Sequence, residues 1–280
     1  MSSHRSTPLP SVDTLPLFSR LKRRVLKDAR FEEALEAAGQ AHDGVLSTIP
    51  DERDAVSLTR GLHPRELEMA RSMSPERRNS FIAGRLALHR ALHELDTASP
   101  RLSSAEESTE SAILRTARGA PALPQRFSGS ISHKMSLALA AVAPLQVIAG
   151  RQLLHLGIDL ETRPLLAEPG RPSIASRILT VSELRELESR GLDPLRALET
   201  VRIHFAIKEA VYKAIDPLVH RYVGFREVEL SLADRSRMGQ PQPVRLLLPE
   251  LSGVDVQVEA EWWMDSNWIV ASAYSTGPLP

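Results

Sequence analysis

Two acids, Asp159 and Glu161, stand two residues apart in a run where Leu154, Leu156, Ile158 and Leu160 alternate with His155, Gly157, Asp159 and Glu161. Alternation with a period of two is that of a β-strand, so one face is apolar and the other carries both carboxylates side by side. A third acid, Glu209, falls within Leu195–Ile215, which reads as a helix. Three carboxylates arriving from a strand and a helix would supply the hard oxygen ligands that magnesium prefers, leaving its other positions to water and a substrate phosphate. The same residues admit a plainer reading, in which the strand acids face solvent and Glu209 pairs with Lys213 four residues on, worth ~0.3–0.5 kcal/mol.

Basic residues accompany the acids. Lys208 and Lys213 flank Glu209 in a Lys-Glu-x-x-x-Lys order, which can set a metal-binding carboxylate between two phosphate-seeking ammonium groups. On an earlier helix Arg78, Arg85 and His89 fall within roughly 40° of one another at 100° per residue, with Arg77 in reach of that stripe. Such a stripe suits a bound polyanion, and it equally suits any exposed amphipathic helix. Gly129-Ser130-Ile131-Ser132-His133 follows an Arg118-Gly119-Ala120-Pro121-Ala122-Leu123-Pro124 run, and its hydroxyls and imidazole could meet phosphate oxygens. Serine-nucleophile chemistry is disfavoured there, because no Gly-x-Ser-x-Gly elbow exists.

The elements that must position these groups follow from periodicity. Leu21–Ala38 and Pro64–Ser72 have helical spacing, and a helix opening at Ser74-Pro75-Glu76 carries a stripe of Phe81, Leu88, Leu92 and Leu95. The polar stretch Thr97–Ser111 reads as a surface loop. Strands are expected at Ser128–His133, Leu137–Val142, within Val147–Glu161, and at Phe225–Leu232, Val254–Trp263 and Trp268–Tyr274, the last after an Asp265-Ser266-Asn267 turn; Ser182–Arg190 is expected to be helical. The class is α+β. A flexible tail over 1–16 precedes an N-terminal half over 17–146 and a C-terminal half over 147–280.

Composition limits the partners. Among 280 residues Lys plus Arg and Asp plus Glu both number 35, so no net field draws the chain to nucleic acid or to an anionic membrane. Cysteine is absent, which excludes disulfides and thiolate catalysis. No apolar run approaches the ~20 residues that span a bilayer. A cytoplasmic monomer is the expectation.

A short internal repeat aligns Phe81-Ile82-Ala83-Gly84-Arg85-Leu86-Ala87 with Phe205-Ala206-Ile207-Lys208-Glu209-Ala210-Val211. Four ordered motifs between positions 77 and 214 then resemble the Sfp-type 4'-phosphopantetheinyl transferases, and more narrowly the enterobactin synthetase component D branch. They are Arg77 to Arg85, Arg118 with Gly129 to His133, Gly157-Ile158-Asp159-Leu160-Glu161, and Phe205 to Ala214. Three positions depart from the family pattern. Ser80 replaces a frequent acid, Leu123 a frequent aromatic, and Lys134 a frequent small residue or cysteine.

The resemblance implies two similar α/β halves related by a pseudo-two-fold and meeting around coenzyme A. It implies magnesium on Asp159, Glu161 and Glu209, and coenzyme A held by Arg77, Arg78, Arg85, Arg118, Ser132, His133, Lys208 and Lys213. Phosphopantetheine would pass to a serine of an acyl or peptidyl carrier protein, releasing adenosine 3',5'-bisphosphate, with Asp159, Lys208 and Glu209 catalytic. Glu209, directly or through a metal-held water, would take the serine proton. Two alternatives stay open: a metal-dependent phosphohydrolase, and a non-catalytic module that binds coenzyme A or a carrier.

Overall fold

The computed structural model describes residues 62–98, 111–134, 137–145, 147–148, 150–165, 174–231 and 235–278. The tail over 1–16, the helix expected at 21–38 and nearly all of the expected 97–111 loop lie outside these residues.

Helix α1 (Pro64–Arg71) opens on a capping box in which His63 Nδ1 accepts from the Arg65 amide and Glu66 accepts from the His63 amide. Helix α2 (Pro75–Ala98) lies on an antiparallel hairpin of β1 (Phe127–Lys134) and β2 (Leu137–Pro144), and together they enclose Leu88, Leu92, Ile113, Phe127, Ala140 and Val142. Gly84 permits the close seating, since a Cβ there would come within 2.8 Å of the Ile131 side chain.

The rest of the chain repeats this helix-on-sheet plan at larger scale. Strands β3 (Val147–Ile148) and β4 (Arg151–Thr162) are followed by α3 (Ala175–Ile178), α4 (Val181–Ser189) and α5 (Pro194–Val219). After these come β5 (Val228–Glu229), β6 (Gln242–Pro243), β7 (Arg245–Leu246), β8 (Gln257–Met264) and β9 (Trp268–Gly277). The antiparallel sheet runs β3-β4-β9-β8-β6, while β5 pairs with β7. Helix α5 covers the sheet through Ala206, Ile207, Ala210, Val211 and Ala214 against Val258, Ala260, Trp262, Ile269, Ala271 and Ala273. Asp193 caps α5 by accepting from the Leu195 and Arg196 amides, with Pro194 at the first position. The expected turn is held by Asp265 Oδ1, which accepts from the Asn267 and Trp268 amides.

The α+β class stands as expected. The run expected as a strand from Phe225 instead opens with a 3-10 turn, Phe225–Glu227, before the two-residue β5. Helix α3 and strands β6 and β7 were not expected, because two to four residues carry no readable period.

One glycine sets the geometry of the site. A Cβ on Gly157 of β4 would stand 1.9 Å from the Ala210 carbonyl oxygen and 2.8 Å from the Ala214 amide, so only glycine lets α5 lie this close. Asp159 and Glu161 share the Gly157 face and are buried, as are Leu156, Ile158 and Leu160 on the other. The reading in which the strand acids merely face solvent is thereby excluded.

Candidate active site at the junction of β4 and α5

Strand β1 runs beside β4 and serves it with side chains. Ser128, Ser130 and Ser132 share one face, and their hydroxyls accept from the amides of Leu156, Ile158 and Leu160 at 2.8, 3.1 and 3.1 Å. Ser132 Oγ also donates to Asp159 Oδ1 at 2.9 Å, and Lys213 Nζ donates to the same oxygen and to the Ile158 carbonyl, both at 2.8 Å. Asp159 Oδ2 is buried without a hydrogen-bond partner. One acceptor of a fixed carboxylate therefore stands ready for a cation.

Lys134 Nζ lies 2.9 Å from each oxygen of Glu161, with Arg202 Nη1 3.6 Å from Oε2. Glu209 is half-buried on α5. Its pKa is raised, chiefly by burial; the charge of Lys213 opposes the rise, and Asp159 and Glu161 add to it. The three expected acids are thus electrostatic neighbours. They are not a ready-made ligand cage, since no three His, Asp or Glu side chains among the described residues stand at metal-binding spacing. Lys213 and Lys134 already hold two of them. His133 lies beside the cluster with its pKa lowered, first by partial burial and then by Lys213 and Lys134, against the pull of Asp159.

Lys208 does not join this group. It is buried on another side of α5, where Nζ donates to Glu183 Oε2 at 2.6 Å and to the Ile178 carbonyl at 2.9 Å. The expected contact with coenzyme A phosphates is not supported, because the ammonium faces the interior. Glu183 also accepts from the Thr180 amide at 2.7 Å and the Leu230 amide at 2.9 Å. Burial alone would raise this acid, but His204 and Lys208 outweigh it and bring the pKa down to about 2.

The expected phosphate-binding stripe on α2 is largely committed to the fold. Arg78 donates to the Ala70, Arg71 and Met73 carbonyls and so closes the C-terminal end of α1. Arg85 is buried over the Phe81 ring, donates to the Leu114 carbonyl, and has its pKa lowered to about 10, chiefly by desolvation. His89 Nε2 meets both oxygens of buried Glu66 at 2.9 Å. Arg77 is exposed. Arg118 grips Asp216 through Nε and Nη2 and donates to the His220 carbonyl, tying the segment before β1 to the end of α5.

Two family models match the sequence. A 4'-phosphopantetheinyl transferase N-terminal domain model matches residues 65–143, and a 4'-phosphopantetheinyl transferase superfamily model matches residues 155–247; together they take in more than half of the 280 residues. The chain belongs to the 4'-phosphopantetheinyl transferase superfamily. Ser132 and Lys134 lie in the first match, and Asp159, Glu161, Glu209 and Lys213 in the second. The 4'-phosphopantetheinyl transferase Npt of Nocardia iowensis is 29% identical over 169 residues, which are 60% of this chain and 65% of that protein's length. A holo-ACP-synthase from Plasmodium yoelii is 18% identical, covering 46% of this chain and 99% of that one at a TM-score of 0.37. A Chronobacterium ammoniagenes ACPS-CoA complex is 22% identical, covering 43% and 94% at a TM-score of 0.31. At such scores the structural likenesses carry no argument.

Two residues of this superfamily member escaped sequence reasoning. Thr180-Val181-Ser182-Glu183 has the spacing of a capping box, which it forms, but nothing in that spacing announces Lys208 as a partner. Lys134 continues the row Ser128, Ser130, Ser132 at period two, and that signal was readable.

Proposed function

We propose that this chain transfers 4'-phosphopantetheine from coenzyme A to a serine of an apo acyl or peptidyl carrier protein. The observation that carries the reading is the junction of β4 and α5, where Asp159, Glu161, Glu209 and Lys213 meet within the matched superfamily segment. The unpartnered, buried Asp159 Oδ2 fits a divalent ion, magnesium by its oxygen chemistry. Asp159, Glu161 and Glu209 would hold it, and when bound it would neutralise phosphate charge.

The protein's own groups supply the remainder. Burial and like charge raise the Glu209 pKa while no metal is bound, and its carboxylate would receive the proton of the carrier serine. The serine oxygen attacks the β-phosphorus of coenzyme A, and adenosine 3',5'-bisphosphate leaves. Lys213, anchored on Asp159 and the Ile158 carbonyl, keeps a cation at the charge that develops. Arg77 and His133 remain candidates for the nucleotide phosphates. The narrower assignments are part of this proposal: an enterobactin synthetase component D-like branch, a role in siderophore or other secondary-metabolite synthesis, two halves dividing near residue 146, and a cytoplasmic monomer. No helix among the described residues is long and apolar enough to cross a membrane.

The test is to incubate the protein with coenzyme A and magnesium, with and without an apo-carrier domain, and to quantify adenosine 3',5'-bisphosphate. Release that requires the carrier supports transfer. Release without it favours a phosphohydrolase, and coenzyme A binding with no release in either arm favours a non-catalytic module.

A further inference from the structure

The face of β1 turned toward β4 carries Ser128, Ser130, Ser132 and then Lys134. The three hydroxyls hold β4 amides, and the fourth member of the row places an ammonium on Glu161 instead. Its Nζ sits 2.9 Å from both Glu161 oxygens, the placement a chelated cation would take. The Lys134 side chain is 36% exposed, whereas Lys208 is fixed in the interior. A flexible stem of four carbons lets the ammonium leave for solvent. The next cation, Arg202 Nη1, stands farther from Glu161 at 3.6 Å.

We infer that Lys134 is an internal cation that competes with the divalent ion for Glu161 and so sets this chain's metal affinity. A neutral side chain at 134 leaves Glu161 with less compensation and raises its attraction for a metal. The inference rests on the proposed function for its metal but concerns binding alone.

The test is calorimetric titration of manganese into the full chain, without coenzyme A or carrier, for wild type, Lys134→Met and Lys134→Glu. Screened by solvent on the lysine side only, the Lys134–Glu161 pair corresponds to a change of at least about two- to fivefold, so Lys134→Met should bind manganese tighter by that factor. Lys134→Glu, which adds a carboxylate, should bind tighter still. Equal affinity in all three proteins overturns the inference and leaves the proposed reaction standing. Absence of manganese binding to wild type and both variants overturns the inference and the metal assignment together.

Discussion

Lys208 and Glu209 are adjacent in sequence and face different surroundings: Lys208 Nζ donates to Glu183 at 2.6 Å in the interior, while Glu209 is coupled to Asp159 and Glu161 beside β4. Successive residues on a helix point about 100° apart, so a Lys-Glu pair cannot present both groups to one ligand as a matter of course. The lysine anchors α5 to α4, and the glutamate lies in the field of Asp159, Glu161 and Lys213.

That division predicts a stability effect. Glu183→Ala leaves Lys208 buried without its partner and should cost about 3–5 kcal/mol in urea unfolding. Lys208→Met added to it should restore much of the loss, giving a coupling that a double-mutant cycle detects. The pH dependence has a defined sign. Glu183 is lowered from 4.5 to about 2, so its contribution is present above pH 4.5 and is lost as pH falls toward 2. Glu183→Gln should flatten acid unfolding across that window, and simple additivity in the cycle would count against the pairing.

Glu209 has the opposite sign. Its raised pKa means the folded state is favoured while the acid is protonated and penalised as pH rises through the folded value. Glu209→Gln should therefore melt higher than wild type at neutral pH in the absence of metal, with the difference closing below pH 4.5. Added magnesium should stabilise wild type more than the variant. Thermal melts across pH, with and without magnesium, check both statements.

Gly157→Ala tests the close approach of α5. A methyl group 1.9 Å from the Ala210 carbonyl oxygen cannot be accommodated without moving the helix. Overpacking of this kind costs about 1–3 kcal/mol or more. Transfer activity per folded molecule should fall as well, since Glu209 and Lys213 would withdraw from Asp159. A variant of unchanged activity would show that the junction tolerates separation.

Ser132→Ala removes an acceptor for the Leu160 amide and a donor to Asp159, both buried. Leaving them unsatisfied should cost about 1–3 kcal/mol. Ser130→Ala, which removes an amide acceptor only, serves as the comparison. Equal losses of transfer in the two variants would mean that the bond to Asp159 has no part in positioning it.

Long periodic elements were legible in the sequence. Strand β4, helices α2 and α5 and the turn at Asp265 announce themselves through alternation, caps and proline placement, and Asp159 with Glu209 emerged from that reading. Partners across space did not. Arg78, Arg85 and His89 form a cationic stripe on a helical wheel, yet their heads are committed to α1 carbonyls, the Leu114 carbonyl and Glu66. Helical angle tells which residues share a face but not what that face meets. Lys208 shows the same limit, because its partner lies 25 residues away on α4.

The most direct test of the central claim, that the acids at the junction of β4 and α5 perform the transfer, is the intact mass of an apo-carrier domain. The carrier is incubated with coenzyme A, magnesium and either wild type or Glu209→Gln. Wild type should add one phosphopantetheine to the carrier serine, and the variant should be slower by about 10²–10⁴-fold, the usual worth of a general base. Equal modification by both proteins, or a carrier left unmodified by wild type, would contradict it.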